Sequence, residues 1–191
     1  MKQLRYILLG VLSLLLTTSI SAYAQVRQLG LGEIVQTANV ICVATVTDVK
    51  TEVDKSGDVV TISTFKLEET IAGKPQKTFK IKQIGGEHKG ISHKLEHIRY
   101  FLKGERVLLT LYPNSSLGFT NPVGLNQGVW TIDVLNQVHG ITAEQLVSAQ
   151  SLLPKHQIDL KHAKTPIAKS KFVSLLKELR TAQSAKGEVG R

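Results

Sequence analysis

The densest collection of ligand-type side chains is the stretch IGGEHKGISHKLEHIRYFLKGERVLLTLY, residues 84–112, which holds His88, His93 and His97 beside Glu87 and Glu96. Imidazole nitrogens and carboxylates are ligands for zinc or copper. If residues 92–99 wind into a helical turn, His93 and His97 share a face at i and i+4. His88, His93 and His97 are therefore the metal candidates, with zinc or copper as the ion. The stretch lacks an HExxH arrangement and contains no cysteine, and a lysine-rich loop also acquires three histidines by composition alone.

Within the same stretch, GGEHKG (85–90) can turn backbone N–H groups toward an anion. It departs from the phosphate-loop formula, since no Lys-Ser or Lys-Thr follows it. Glycines that allow positive φ at a strand exit are the simpler account. No other catalytic chemistry is visible: there is no Gly-x-Ser-x-Gly elbow, no cysteine with a histidine partner and no paired-carboxylate motif. The single cysteine, Cys42, lies inside the apolar run NVICVATV and reads as a buried thiol, unable to form an internal disulfide. The expectation is a protein that binds rather than catalyses, with no resident cofactor beyond the candidate metal.

The elements that position these residues are mostly strands. LGEIVQT (31–37) has apolar residues at helical spacing and predicts a short N-terminal helix. NVICVATVTDV follows, with Val40, Cys42, Ala44 and Val46 on one face and Ile41, Val43 and Thr45 on the other, as in a strand covered on both sides. The polar run KTEVDKSGD predicts a hairpin loop into a second strand, VVTISTFKLEETI. AGKP turns the chain into a third, KTFKIKQI, whose alternating lysines give one wet face. RVLLTLY and VWTIDV complete five strands, the number for a small antiparallel barrel. Beyond them, TAEQLVSAQSLL and SKFVSLLKELRTAQ are helical, the second with Phe172, Leu175, Leu176 and Leu179 on one face.

Charge and hydropathy bear on the compartment. Residues 1–24 combine Lys2 and Arg5, an apolar run from Tyr6 to Leu16 and the small-residue end SAYA, the pattern of a secretory signal peptide cleaved before Gln25. An exported protein, periplasmic or secreted, is expected. From Gln25 to Pro154 there are 13 basic and 12 acidic residues, against 9 basic and 3 acidic from Lys155 to Arg191. The tail can attract an acidic membrane surface or envelope polymer, or serve as a solvated face. Nucleic acid is not expected, because Phe172 is the only aromatic residue of the tail.

Taken together, ANVICVATV, TFKLEETIAGKP, IKQIGGEHKG, FLKGERVLLTLY and GLNQGVWTI resemble a family of exported bacterial proteins of unassigned function. The resemblance spans roughly residues 33–134 and implies an OB-like barrel, distantly similar to netrin and metalloproteinase-inhibitor modules. It does not carry over the inhibitory mechanism of the latter, which uses an N-terminal cysteine where Gln25 would stand. The reading is thus a mainly β (α+β) protein: a signal peptide (1–24), a five-stranded OB-like antiparallel barrel with a short N-terminal helix (25–140), and a basic helical segment (141–191). Its expected role is a non-catalytic binding or accessory module for an unidentified protein or envelope polymer. The alternatives are a metal-binding envelope protein using the histidine loop, and a peripheral membrane protein held by the basic segment.

Overall fold

Two 14-residue strands, β1 (Val40–Val53) and β2 (Val59–Ala72), form the spine of the computed structural model, which describes residues 26–116, 119–154, 158–159 and 165–189, with side chains as far as Ala182. The expected signal peptide, 1–24, lies outside the described residues. Valine, isoleucine and threonine recur along both strands, and their branched Cβ atoms suit pleated backbone. The hairpin is tighter than its polar sequence suggests. Lys50–Val53 stay in β1 because each pairs with a residue of Val59–Ile62. Asp54 closes the remaining turn, its Oδ1 accepting from the backbone N–H of Ser56 at 2.9 Å and of Asp58 at 3.2 Å.

β3 (Thr78–Ile84) pairs with β2, while β4 (Glu87–His88) and β5 (Ile91–Ser92) form a separate small hairpin. β6 (Arg106–Leu111), β7 (Val129–Ile132), β8 (Gln137–His139) and β9 (Ile167–Ala168) extend the main sheet from the other side of β1. The order is β3-β2-β1-β6-β7-β8-β9, antiparallel throughout. The ladder is an open seven-stranded sheet and does not itself close into the expected five-stranded barrel. After β7 the sheet continues through β8 and β9, away from β3, instead of turning back to it. Strands of three and two residues carry too little alternation to be read in a sequence. Two single bridges stand outside the ladder, Ile81 with Thr120 in parallel and Leu111 with Pro122 antiparallel.

Three helices, α1 (Leu31–Thr37), α2 (Ala143–Leu152) and α3 (Lys169–Val189), cover one face. The alternation on β1 divides the interior in two. Ile41 and Val43 join Leu108, Trp130, Leu31, Ile34, Leu146 and Phe172 under the helices. Val40, Cys42, Ala44 and Val46 join Phe65, Ile81, Phe101 and Leu109 on the opposite face. The apolar stripe of α3 is therefore buried against the sheet, and Phe172 meets Trp130 edge to face at 5.0 Å.

Polar side chains fix the helices. Gln145, buried in α2, accepts from Trp130 Nε1 at 3.2 Å and donates to the Gln127 carbonyl at 2.9 Å. It also forms a reciprocal capping box with Thr142. The Leu31 N–H at the start of α1 donates to Ser148 Oγ at 2.7 Å. At its other end, the Val35 and Ala38 carbonyls accept from Arg180 Nη1 at 2.8 and 2.6 Å. Arg180, one of the tail's charges, thus acts as a cap for another helix.

Replacing Gln145 with Ala strands the buried Trp130 N–H and Gln127 carbonyl and removes half the capping box, so the expected loss is about 3 kcal/mol in urea unfolding. Val147→Ala, on the exposed side of the same helix, is expected to stay within about 0.5 kcal/mol of the parent.

Candidate binding clefts beside β3

The three histidines of the stretch fall on a hairpin and the irregular chain that follows it. His88 lies in the β4–β5 hairpin, His93 follows it, and His97 sits in a turn at φ +63°. Residues 92–99 form no helix, which removes the i and i+4 premise for His93 and His97. Among the described residues, no group of three or more His, Cys, Asp or Glu side chains is placed to hold a metal ion. Gly85 and Gly86 have φ of +85° and +139°. A Cβ at Gly85 would collide with the His93 carbonyl, and one at Gly86 with Thr61 Oγ1. Close backbone approach explains both glycines.

The stretch instead straps the sheet. Tyr100 donates its hydroxyl to the Ile84 carbonyl at 2.6 Å and accepts from the Leu95 N–H at 3.1 Å. Gln83 Nε2 donates to the Arg99 carbonyl at 2.8 Å. The Arg99 guanidinium pairs with Glu105, donates to Thr131 Oγ1 of β7 at 2.9 Å and lies 5.8 Å from the Phe101 ring centre. β3 and β7 are thereby tied through one loop.

Cys42 is a buried free thiol. Burial in an apolar core pushes its thiol up to about 12.

Concave surface lies elsewhere, on both sides of the segment that crosses between β3 and β6. Thr120 Oγ1 donates to the Tyr112 carbonyl at 2.6 Å, and the Tyr112 N–H donates to the Asn121 carbonyl at 3.0 Å. These bonds, with the two single bridges, hold 120–122 in place. On one side lies a cleft of about 280 Å³ lined by Asn39, Lys74, Gln76, Phe79, Lys80, Tyr112 and Asn114 among others. On the other lies a more apolar cleft of about 290 Å³ lined by Ile84, Ile98, Tyr112, Pro122 and Leu125, with Lys82 and Gln83 at its wall. Tyr112 belongs to both.

Lys82 is positioned by charge. Its Nζ lies 2.8 Å from Asp54 Oδ2 in the β1–β2 turn and 5.7 Å from the Phe119 ring centre. The Lys82 hydrogen bond, reinforced by the backbone N–H groups of Asp58 and Ser56, holds the Asp54 carboxyl below its ordinary range.

Sequence reading missed the clefts. Their residues come from positions 39–40, 74–84, 98, 111–114 and 120–125, which no motif links. The usable signal was the lysine alternation of KTFKIKQI, which marks an outward face at the sheet edge.

Comparisons with protein families, with curated proteins and with solved structures return no match to this chain. The class that fold and site define is a mainly β protein, one large antiparallel sheet with three packed helices and open clefts at its β3 edge. Among the described residues no helix is long and apolar enough to cross a membrane.

Because Asp54 titrates lower in the folded protein than unfolded, its contribution to stability is present above the unfolded aspartate range and is lost as pH falls through the folded value. Asp54→Asn should therefore flatten the fall in urea midpoint between pH 7 and pH 3, bringing parent and variant closer at the acid end.

Proposed function

We propose that the protein is an exported, non-catalytic binding module of the cell envelope or secreted fraction, holding a polymer or protein partner at the clefts beside β3. The observation that carries this reading is the pair of open clefts sharing Tyr112 across the 120–122 segment. Clefts with mixed apolar and polar lining, set on a rigid sheet, are the usual form of a recognition site. The pattern of residues 1–24 supports export.

The same segment supports an OB-like arrangement. Residues 120–122 bridge β3 in parallel and β6 antiparallel, so that β1, β2, β3, this segment and β6 trace a circuit of five. In that reading, 120–122 is a residual fifth strand closing the curl around Phe65, Ile81 and Phe101, while β7, β8 and β9 extend the sheet beyond it. The membrane-surface alternative has less support: Phe172, Leu176 and Leu179 are buried, Lys169 Nζ lies 2.6 Å from Glu69 Oε2, and Arg180 caps α1.

The test is retention of an envelope component by the immobilised full chain. Parent protein should retain one that Tyr112→Ala and Leu125→Glu lose by about tenfold, with unchanged circular dichroism. Leu135→Glu, at the distant and exposed β7–β8 turn, should behave as the parent. Equal retention by all four proteins would contradict the proposal, as would turnover of the retained component.

A further inference from the structure

The cleft at the β2–β3 turn has a chemical character of its own. Five of its lining side chains are amines or carboxamides, namely Lys74, Lys80, Asn39, Gln76 and Asn114, and none is a carboxylate. Six basic groups outside the cleft, Arg27, Lys50, Lys82, Arg99, Arg106 and Lys169, each pair with an acid. Among the described residues neither Lys74 nor Lys80 has a carboxylate within ion-pair distance. Two unmatched ammonium groups over a carboxylate-free floor attract an anion.

Backbone geometry brings these groups together. Gly73 has φ +79°, and a Cβ there would collide with the Asn39 carbonyl oxygen. Only glycine lets the 73–77 turn press against the start of β1. Pro75 stiffens that turn, and the Leu67 N–H donates to the Lys77 carbonyl at 2.9 Å to close it. The Asn39 N–H donates to the Leu111 carbonyl at 2.8 Å, tying the opposite wall to β6.

Aromatic surface completes the lining. The Phe79 ring stacks on Phe65 at 5.2 Å with an interplanar angle of 6°, so its orientation is fixed, and it also lines the cleft together with Tyr112. Carboxamides pair with adjacent hydroxyls through one donor and one acceptor each. A partly exposed ring offers a face to the C–H side of a pyranose. Ammonium groups take a carboxylate. The volume, about 280 Å³, sits at the lower end of the roughly 300–1,000 Å³ range of small-molecule sites, and the cleft is open, so a chain can continue beyond one sugar unit.

We infer that this cleft binds a carboxylated sugar unit of an acidic polysaccharide, with Lys74 and Lys80 on the carboxylate, Asn39, Gln76 and Asn114 on hydroxyls, and Phe79 and Tyr112 against the ring. The inference rests on the binding-module reading and names its ligand class.

Calorimetric titration of the full chain tests it, with trigalacturonate and a hyaluronan tetrasaccharide as acidic probes, trigalactose as the neutral one, and inorganic phosphate as the bare anion. An acidic probe should bind at least about tenfold more tightly than trigalactose, and more weakly as salt rises. The double variant Lys74→Gln/Lys80→Gln should lose about tenfold for that probe. Gln76→Ala/Asn114→Ala should weaken the sugar without changing phosphate. These are surface positions, and unchanged thermal melting verifies the fold. The inference is overturned if neither acidic probe binds, if trigalactose binds equally, if phosphate binds as tightly as the sugars, or if the lysine variant is unaffected. Failure here, alongside envelope retention that Tyr112→Ala abolishes, removes the ligand class and leaves the binding module standing.

Discussion

Over Val40–Val46 the central strand meets water on almost neither side, and that constraint organises the rest of the molecule. Val40, Ile41, Cys42, Val43, Ala44 and Val46 are all buried, so β1 needs an apolar layer above and another below. Helices supply one, through Leu31, Ile34, Leu146 and Phe172. Phe65 of β2, Ile81 of β3 and Phe101 of the loop before β6 supply the other. Once both layers are in place, β1 must pair along both edges, with β2 along nearly its whole length and with β6 along its first half. The polar contacts then fix details: Gln145 sets α2 on Trp130, Ser148 and Arg180 cap the two ends of α1, and Arg99 ties the long loop to β7.

This arrangement also explains why the clefts lie where they do. β3 is the outer strand of the sheet, and among the described residues its free edge is bridged only at Ile81. An exposed edge needs protection. The crossing segment 120–122 covers its middle, held by Thr120 on the Tyr112 carbonyl, and leaves hollows on either side. Lysines at alternate positions of β3 face outward. Lys82 is neutralised by Asp54, whereas Lys80 has no such partner among the described residues. The two hollows therefore differ: one is apolar, the other rich in amines and amides.

Much of the fold was legible because β1 and β3 alternate cleanly and because α3 carries its apolar residues at helical spacing. The split of β1 into Val40, Cys42, Ala44 and Val46 against Ile41 and Val43 is the split between the two cores. What was not legible depends on tertiary pairing. β8 and β9 are strands only because each lies beside a neighbour, and Lys50–Val53 are strand rather than loop because β2 extends to meet them. The histidines drew attention by residue type, and the helical turn that would set His93 and His97 on one face does not form there. Cleft residues were hidden for the opposite reason. Asn39, Lys80 and Asn114 are unremarkable in sequence and acquire meaning only when Gly73 and the 120–122 bridge bring distant segments together.

The most direct test of the central claim is a two-dimensional amide NMR titration of the isotope-labelled protein with solubilised envelope polymer. The account predicts shifts concentrated at residues 74–84, 111–114 and 120–125, with α2 and the β7–β8 turn unmoved. Shifts centred on the helical face or on residues 87–97, or resonances of a cleaved product growing with time, would contradict it.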